Sequence, residues 1–477
     1  MSFASLTFFL FLPLVFAAHW AGRGRRWQNA VLLLASYLFY AWWDWRFCGL
    51  MLTASLSDWA VGRALGRTRA PGKRRLLLGV SLLVDLGLLG FFKYFNFFAD
   101  SLALALAAAG VEINTSSLNL VLPVGISFYT FQTLSYTLDI YGGRQRPHRG
   151  LLEYLAFVSF FPQLVAGPIE RARELLPQFC RRRTFSPAWA VSGCRLILWG
   201  LAKKLLLADH LGTVVDAVYV RADTAGAAEL ALATLAFAFQ IYADFAAYSD
   251  IAAGVGRLFG IRLTRNFALP YFAPNLAEFW RRWHVTLSRW FRDYVYIPLG
   301  GSRVPWPRHL ANLMATFLLS GLWHGAAWHF VAWGGWHGLG VVIAHLWRER
   351  WRRRGEPADR PWTRALSGGA TFLFVGVGWV WFRAASVDEA ARILGRIAAG
   401  AFNPAVWAGL GPALAQNAAW LAGLGGFVLI EWLGRARWNP LAWERLPRPA
   451  RWAGYTALLW AILLWGGRST EFIYFQF

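Results

Sequence analysis

The sequence has few of the residues from which disulfide scaffolds, metal centres and soluble acidic proteins are built. It contains three cysteines, Cys48, Cys180 and Cys194, and 25 acidic residues in 477 positions. Three scattered cysteines provide neither a disulfide framework nor paired CxxC ligands. No histidine pair with a nearby carboxylate completes a ligand set, so we predict no metal site. Internal repeats, low-complexity linkers and a soluble domain are also lacking, which predicts one membrane-embedded domain over residues 1–477.

Apolar surface and positive charge dominate the composition instead. Hydrophobic residues make up 57% of the chain, aromatic residues 17% and charged residues only 15%, which excludes intrinsic disorder. The formal net charge of +23 lies in blocks between apolar runs, where it orients a membrane protein and contacts anionic lipid rather than nucleic acid. A direct role of these blocks in binding an anionic substrate is the alternative. These blocks are Arg23–Arg26, Arg67–Arg75, Arg171–Arg173, Arg181–Arg183 and Arg348–Arg354.

The apolar runs predict an all-α polytopic membrane protein with about 11–13 transmembrane or re-entrant helices, since a helix needs about 20 apolar residues to cross a bilayer. The first run, Ser2–His19, has no charge before it and arginines after it. A secretory signal has the reverse pattern, so we expect a retained helix with a periplasmic N-terminus. Pro162 and Gly167 interrupt residues 151–169, which predicts a re-entrant segment. The other helices are predicted near residues 28–45, 47–65, 76–92, 118–140, 188–207, 228–250, 310–326, 328–347, 366–382, 413–432 and 452–466.

Residues 262–309 have a different pattern, because arginines alternate with tryptophan, tyrosine and phenylalanine. Arginine stems and aromatic rings both favour the membrane–water boundary. We therefore predict an interfacial segment at the cytoplasmic face. Its Arg281, Arg282, Arg289 and Arg292 are candidates to steer an anionic substrate, and interface anchoring is the alternative.

Ionisable residues within apolar runs are costly and are therefore candidates for function. Asp244 and Asp250 are six positions apart, so a helix does not present them on one face as an acid/base pair. His324 is flanked by Gly321 and Gly325, which permit close approach, while Trp323 and Trp328 are candidates to exclude water. An imidazole shielded from water is neutral and can accept a proton. The remaining candidates are Asp58, Asp85, Asp139, His284, His329, His337 and His345, and structural hydrogen bonding is the alternative for each.

Several blocks together resemble the membrane-bound O-acyltransferases, and within them the bacterial AlgI-type alginate and polysaccharide O-acetyltransferases. The blocks follow one another in order over almost the whole chain. They are Pro123–Tyr136, Phe160–Ile169, Asp244–Gly254, Glu278–His284, Trp290–Gly301, Gly321–Ala326 and Phe472–Phe477. In the third block, Ala246 and Ala247 stand where the family often has Ser-Gly, a departure that bears on packing more than on chemistry.

The resemblance implies an acyltransferase with helices around a central tunnel and two histidines in its site. His324 corresponds to the essential histidine of the family and His284 to a second invariant one. Trp323, Arg281, Arg282 and Asp293 are further candidates for substrate binding. The implied donor is acetyl-CoA or another cytosolic acyl thioester, with no bound cofactor, and a neutral His324 would act as general base for an acceptor hydroxyl.

The resemblance also implies a multi-pass protein of the bacterial inner membrane that acetylates an exported polysaccharide such as alginate. A separate periplasmic or surface acetyltransferase is the implied partner, and direct transfer to a sugar is the alternative. Peptidoglycan, cellulose and teichoic acid D-alanylation stay open as substrates of the same fold. Two other classes of protein remain: a secondary transporter or flippase, for which paired broken helices are absent from the pattern, and a noncatalytic export scaffold.

Overall fold

A computed structural model describes residues 1–113, 118–354, 360–467 and 470–473, with the side chains of 351–354 and 408–409 outside the description. The side chains of the predicted basic residues Arg352–Arg354 therefore lie outside the description. So do the last four residues, 474–477, of the C-terminal block that supports the family resemblance. Helices account for most of the described residues, which contain no β-strand. The predicted all-α membrane class is confirmed.

The chain forms two compact units, one of residues 1–193 and 252–264 and one of residues 194–251 and 265–477. The single membrane-embedded domain stays a prediction. Among its described residues, nine helices lie wholly in the first unit: α1 Leu6–Ala21, α2 Arg25–Asp44, α3 Arg46–Leu65, α4 Pro71–Leu89, α5 Phe95–Ala108, α6 Ile126–Tyr141, α7 Leu151–Ser159, α8 Phe161–Leu164 and α9 Ala172–Phe179.

Helices α10 and α12 pass from one unit into the other, and the remaining helices belong to the second unit. Short π-helical stretches interrupt the series at Gly90–Tyr94, Lys203–Ala208 and Arg292–Tyr296, and a 3₁₀ turn lies at Pro270–Phe272. The helices are α10 Pro187–Ala202, α11 Asp209–Tyr219, α12 Ala227–Leu258, α13 Leu276–Arg282, α14 Val285–Phe291, α15 Trp306–His324, α16 Trp328–Arg354, α17 Pro361–Arg383, α18 Val387–Ala401, α19 Pro404–Gln416, α20 Ala418–Leu433 and α21 Arg448–Trp465.

The predicted helices recur in order, with different boundaries. The helix predicted at 118–140 begins only at Ile126, since Pro123 and Gly125 precede it and Gly125 has a φ of 77°. On length and composition alone, Pro71–Ala108, Ala227–Leu258 and Pro361–Arg383 can cross a membrane, and the bent pair α19 and α20 forms one further candidate span. The full number of crossings stays a prediction.

The predicted interruption within residues 151–169 is confirmed, because α7 ends at Ser159 and α8 covers only four residues. The side chains of this stretch from Phe160 to Ile169 are buried in the protein. Non-helical backbone at membrane depth is tolerated in such surroundings. The re-entrant course through the bilayer stays a prediction.

Close backbone contact joins α15 to α16 within the second unit. A Cβ atom added to Gly321 would lie 2.2 Å from the carbonyl oxygen of Phe330, and one added to Gly334 would lie 2.3 Å from that of Phe317. Small residues let membrane helices approach in this way. This contact between α15 and α16 fixes the position of His324, the last residue of α15.

Candidate active site

His284 lies between two short helices on an unusual backbone. It follows α13, precedes α14 and has a φ of 40° and a ψ of 56°, the left-handed region that non-glycine residues seldom occupy. Its side chain is 1% exposed. Such backbone strain persists where the surrounding structure holds the residue in place, and it clusters at functional sites.

Asn266 holds the ring of His284 and determines its tautomer. The Asn266 Oδ1 atom accepts hydrogen bonds from the Thr286 backbone N–H at 3.3 Å and the Thr286 hydroxyl at 3.0 Å. A backbone N–H can only donate, so the Asn266 atom is an acceptor, and the His284 Nδ1 atom 3.1 Å away must donate to it. The lone pair of the neutral ring therefore lies on Nε2.

A second bond ties Asn266 to α12. Its Nδ2 group donates to the Ser249 hydroxyl at 3.3 Å, and both residues are buried. Ser249 belongs to the Asp244–Gly254 block that supports the family resemblance. That block therefore supports His284 through one intermediate side chain.

Burial favours the uncharged form of the His284 imidazole. It lowers the pKa of the imidazole from 6.5 to about 3, since an apolar environment disfavours the charged ring. Phe245 from α12 packs edge-on against the ring, with 4.7 Å between centroids. His284 is therefore neutral at physiological pH.

His324 is the last residue of α15 and is surrounded by aromatic rings. Its own ring lies 4.9 Å from that of Trp333, 5.0 Å from that of Trp323 and 5.4 Å from that of Phe382. The side chain is 5% exposed. A Cβ atom on Gly325 would lie 2.0 Å from the Phe330 ring, so that glycine permits the close approach expected from the sequence.

Trp323 brings the two histidines together. Its ring lies 6.1 Å from the His284 ring and 5.0 Å from the His324 ring. The two histidines are forty positions apart in sequence, yet both contact one buried indole. Trp323 therefore lies between the two candidate histidines, and its role in substrate binding stays a prediction.

On α16, Trp333 packs against the His324 ring, and shielding of His324 by Trp328 stays a prediction. The Trp328 side chain is 57% exposed, whereas Trp333 is 1% exposed and packs against the imidazole. Trp328 begins α16 and Trp333 follows five residues later, about 140° further round the helix. The sequence singled out the tryptophan nearer to the motif rather than the one on the buried face.

The candidate residues Arg281, Arg282 and Asp293 form ion pairs with neighbours in sequence. Arg281 donates to Glu278 at 2.5 Å with a side chain that is 68% exposed, and Arg282 pairs with the same carboxylate at 3.5 Å. Asp293 is buried and pairs with Arg292 at 2.6 Å. A role in substrate binding stays a prediction for all three candidates.

The other ionisable candidates have structural partners. In the first unit, Asp58 accepts from Ser81, Asp85 accepts from Thr133, and Asp139 pairs with Arg144. In the second unit, Asp244 pairs with Lys204 at 2.7 Å and Asp250 with Lys203 at 2.6 Å, so the expectation that these two aspartates do not form one pair is confirmed. His329 contacts the Trp381 carbonyl, while His337 and His345 pack against aromatic or histidine rings.

Sequence reasoning missed Asn266 and Trp333. Asn266 is one of several uncharged polar residues in the arginine-rich segment, and no periodicity marks its amide as the partner of a ring 18 positions later. The position of Trp333 on the buried face of α16 is a signal that helix periodicity could have provided.

Comparison with known proteins identifies the family of this chain. Residues 143–380, which include both histidines, match the membrane-bound O-acyltransferase family. The chain is 41% identical over 401 residues to the "Probable alginate O-acetylase AlgI" of Pseudomonas putida, covering 83% of this chain and 80% of that protein. It is 42% identical over 399 residues to the protein of that name in Azotobacter vinelandii, covering 82% and 77%. It is 33% identical over 419 residues to the "Peptidoglycan O-acetyltransferase" of Helicobacter pylori, covering 82% and 78%. The chain belongs to the membrane-bound O-acyltransferase family.

Proposed function

We propose that this protein is an O-acetyltransferase of the bacterial inner membrane that uses a cytosolic acyl thioester, such as acetyl-CoA, to acetylate an exported polysaccharide such as alginate. The observation that carries the proposal is the convergence of two buried histidines on Trp323. The names of the similar proteins support acyl transfer to a cell-surface polymer.

His324 is the proposed general base. As an acceptor hydroxyl attacks the thioester carbonyl, the neutral imidazole takes the hydroxyl proton and a carbon–oxygen bond forms. The tetrahedral intermediate then expels the thiolate, which takes the proton back from the imidazolium. The products are an acetyl ester and a free thiol.

His284 is proposed as the second site residue, with its lone pair on Nε2 because Asn266 accepts from Nδ1. Its low pKa keeps the ring neutral during turnover. Trp323 contacts both imidazoles and is proposed to align the reacting groups between them.

The arginines of the interfacial segment are proposed to attract the anionic donor at the cytoplasmic side. Arg281 is exposed and close to Arg282, with which it shares Glu278. Exposed positive charge steers anions through a screened field. A periplasmic N-terminus and a surface polysaccharide acetyltransferase as partner complete the proposal.

The experiment is acetyl transfer by the purified protein in proteoliposomes, with acetyl-CoA as donor and alginate oligosaccharide as acceptor, alone or with the surface partner. We expect His324→Ala to lower the rate at least about 100-fold, within the range of general-base catalysis. His210→Ala is the matched control, because His210 is exposed. A folded His324→Ala protein that acetylates at the wild-type rate would refute the proposal.

A further inference from the structure

Two buried aspartates on neighbouring helices of the first unit have no part in the proposed reaction. Asp58 belongs to α3 and Asp85 to α4, and both residues are 0% exposed. We use the name aspartate pair for these two residues. Asp85 lies within Pro71–Ala108, a stretch that is long and apolar enough to cross a membrane. An ionised carboxylate at such a position is costly, so aspartates inside membrane helices are candidates for function.

Hydroxyl groups of α4 and α6 hold the two carboxyls in place. The Ser81 hydroxyl donates to the Asp58 Oδ1 atom at 2.6 Å and lies 2.9 Å from the Thr137 hydroxyl. The Thr133 hydroxyl donates to the Asp85 Oδ2 atom at 3.0 Å. Ser81 and Asp85 are four positions apart and therefore neighbours on one face of α4. The carboxyl that Ser81 binds is thus brought next to the carboxyl of Asp85.

The two carboxyl groups of the aspartate pair also hydrogen-bond to each other. The Oδ2 atom of Asp58 and the Oδ1 atom of Asp85 have no other hydrogen-bond partner among the described residues. An ionised carboxylate can only accept, so a hydrogen bond between two carboxyls requires a proton on one of them. Two carboxylates that share one site also repel each other, which disfavours ionisation of both.

No cation among the described residues compensates the aspartate pair, since neither aspartate forms an ion pair with them. The titratable groups that face the pair are Tyr129 and Tyr136 of α6 and Tyr154 of α7, and phenols are neutral at physiological pH. The charged side chains of the surrounding helices have other contacts: Arg63 lies over the Trp59 ring, Arg74 donates to the Tyr141 carbonyl, Lys93 donates to Ser127, and Arg144 pairs with Asp139. Two ionised carboxylates would therefore be buried without compensation.

We propose that the aspartate pair is a proton-binding site that latches α3 to α4: at physiological pH a proton lies between the two carboxyls, and its loss at alkaline pH breaks this link between the helices. In the unfolded chain both aspartates are ionised at neutral pH, so the folded protein binds at least one proton more at this site. Because the unfolded state then binds fewer protons, the free energy of unfolding decreases as the pH rises above the range in which a free aspartate titrates.

The first test measures melting temperatures of the full-length protein in detergent between pH 6 and pH 9. Asp58→Asn and Asp85→Asn each replace the O–H donor by an amide N–H that does not ionise in this range. We expect the melting temperature of the wild-type protein to fall as the pH rises, and that of each variant to fall less. Asp100→Asn, at an exposed position on α5, is the matched control and should follow the wild type.

The second test detects the proton directly, by infrared spectroscopy of protein with ¹³C-labelled aspartate carboxyl groups. At pH 7 the wild-type protein should show the carbonyl stretching band of a protonated carboxyl. The double variant Asp58→Asn and Asp85→Asn should lose intensity in this band, and Asp100→Asn should retain it. A wild-type spectrum without such a band would overturn the inference, whether or not the variants fold.

Two further results would overturn the inference. The first is a parallel fall in melting temperature for the wild type and both single variants, which would show that the aspartate pair does not take up the proton. The second is a higher wild-type melting temperature at pH 9 in sodium than in choline, lost in both single variants, which would identify a metal cation as the occupant.

Discussion

His284 and His324 contact the same tryptophan, and the two rings have different described surroundings. His284 is fixed by polar contacts, through Asn266 and Thr286, on a left-handed backbone. His324 is enclosed by the rings of Trp323, Trp333 and Phe382 at the end of a close helix crossing.

This difference indicates separate roles for the two histidines. Hydrogen bonds fix the tautomer of a ring, because the acceptor on one nitrogen determines where the proton lies. Aromatic contacts exclude water from the His324 imidazole, which is proposed to gain and lose a proton during turnover. Asn266 therefore fixes the tautomer of His284, and the aromatic rings enclose the proposed base, His324.

Among the variants that test the difference between the two histidines, the largest loss of activity is expected when the hydrogen-bond partner of His284 is removed. Asn266→Ala leaves the His284 Nδ1 donor without its acceptor, and we expect kcat to fall at least about tenfold. Asn266→Asp keeps an acceptor and should restore much of the activity. Its carboxylate raises the pKa of His284, so the pH–rate profile should gain an acidic limb. Equal loss in both variants, with unchanged pH profiles, would contradict the assigned tautomer.

The packing that positions His324 is tested by placing a larger side chain where α15 crosses α16. Gly321→Val places atoms against the Phe330 carbonyl, where even a Cβ would be 2.2 Å away. We expect destabilisation of about 1–3 kcal/mol and a lower melting temperature in detergent. Gly369→Val is the control, because a Cβ there has nothing within 4 Å. Similar melting temperatures for the two variants would rule out the crossing as the support of His324.

Burial of His284 also predicts a pH dependence of stability. The unfolded residue titrates at 6.5 and the folded one at about 3, so the unfolded state binds more protons between these values. Above pH 6.5 the imidazole is neutral in both the folded and the unfolded state, so His284 does not change the free energy of unfolding. As the pH falls from 6.5 towards 3, stability decreases by up to about 1.4 kcal/mol per pH unit.

Melting temperatures at pH 7.5 and 5 measure this effect, with His284→Gln as the reference. The wild-type protein should lose more stability on acidification than the variant does. Parallel losses would mean that the ring is already charged or exposed in the folded protein.

The smallest effect is expected at the exposed arginines. Arg281→Gln removes an exposed ion pair with Glu278, which contributes at most about 1 kcal/mol to stability. We expect the KM for the donor to rise a few-fold at low salt and to approach the wild-type value at 1 M salt. Arg392→Gln, an exposed residue paired with Asp223, is the control. A salt-independent effect, or the same effect in the control, would contradict steering by Arg281.

Much of the fold could be predicted because apolar runs and basic blocks specify helices directly. The helix order followed from hydropathy, whereas the late start of α6 depends on Pro123 and on the left-handed Gly125. The π-helical stretch that turns Lys203 and Lys204 towards different aspartates has no simple periodicity. Its geometry results from tertiary ion pairs that a single sequence does not display.

The candidate site was predictable only in part. The resemblance indicated His284 and His324, and the structure brings both against Trp323. Asn266 was not predicted, since its role depends on two chain segments, 266–268 and 282–285, that bond to each other. Trp333 was not predicted, because the face that a residue presents depends on how α16 packs.

The central claim is that the imidazole of His324 accepts the proton of the attacking hydroxyl. The most direct measurement is chemical rescue of His324→Ala in proteoliposomes with added imidazole, at several pH values. The account predicts that acetyl transfer recovers in proportion to the concentration of neutral imidazole, and that imidazole does not accelerate the wild-type protein. Wild-type turnover by the folded His324→Ala protein without any added base would contradict it.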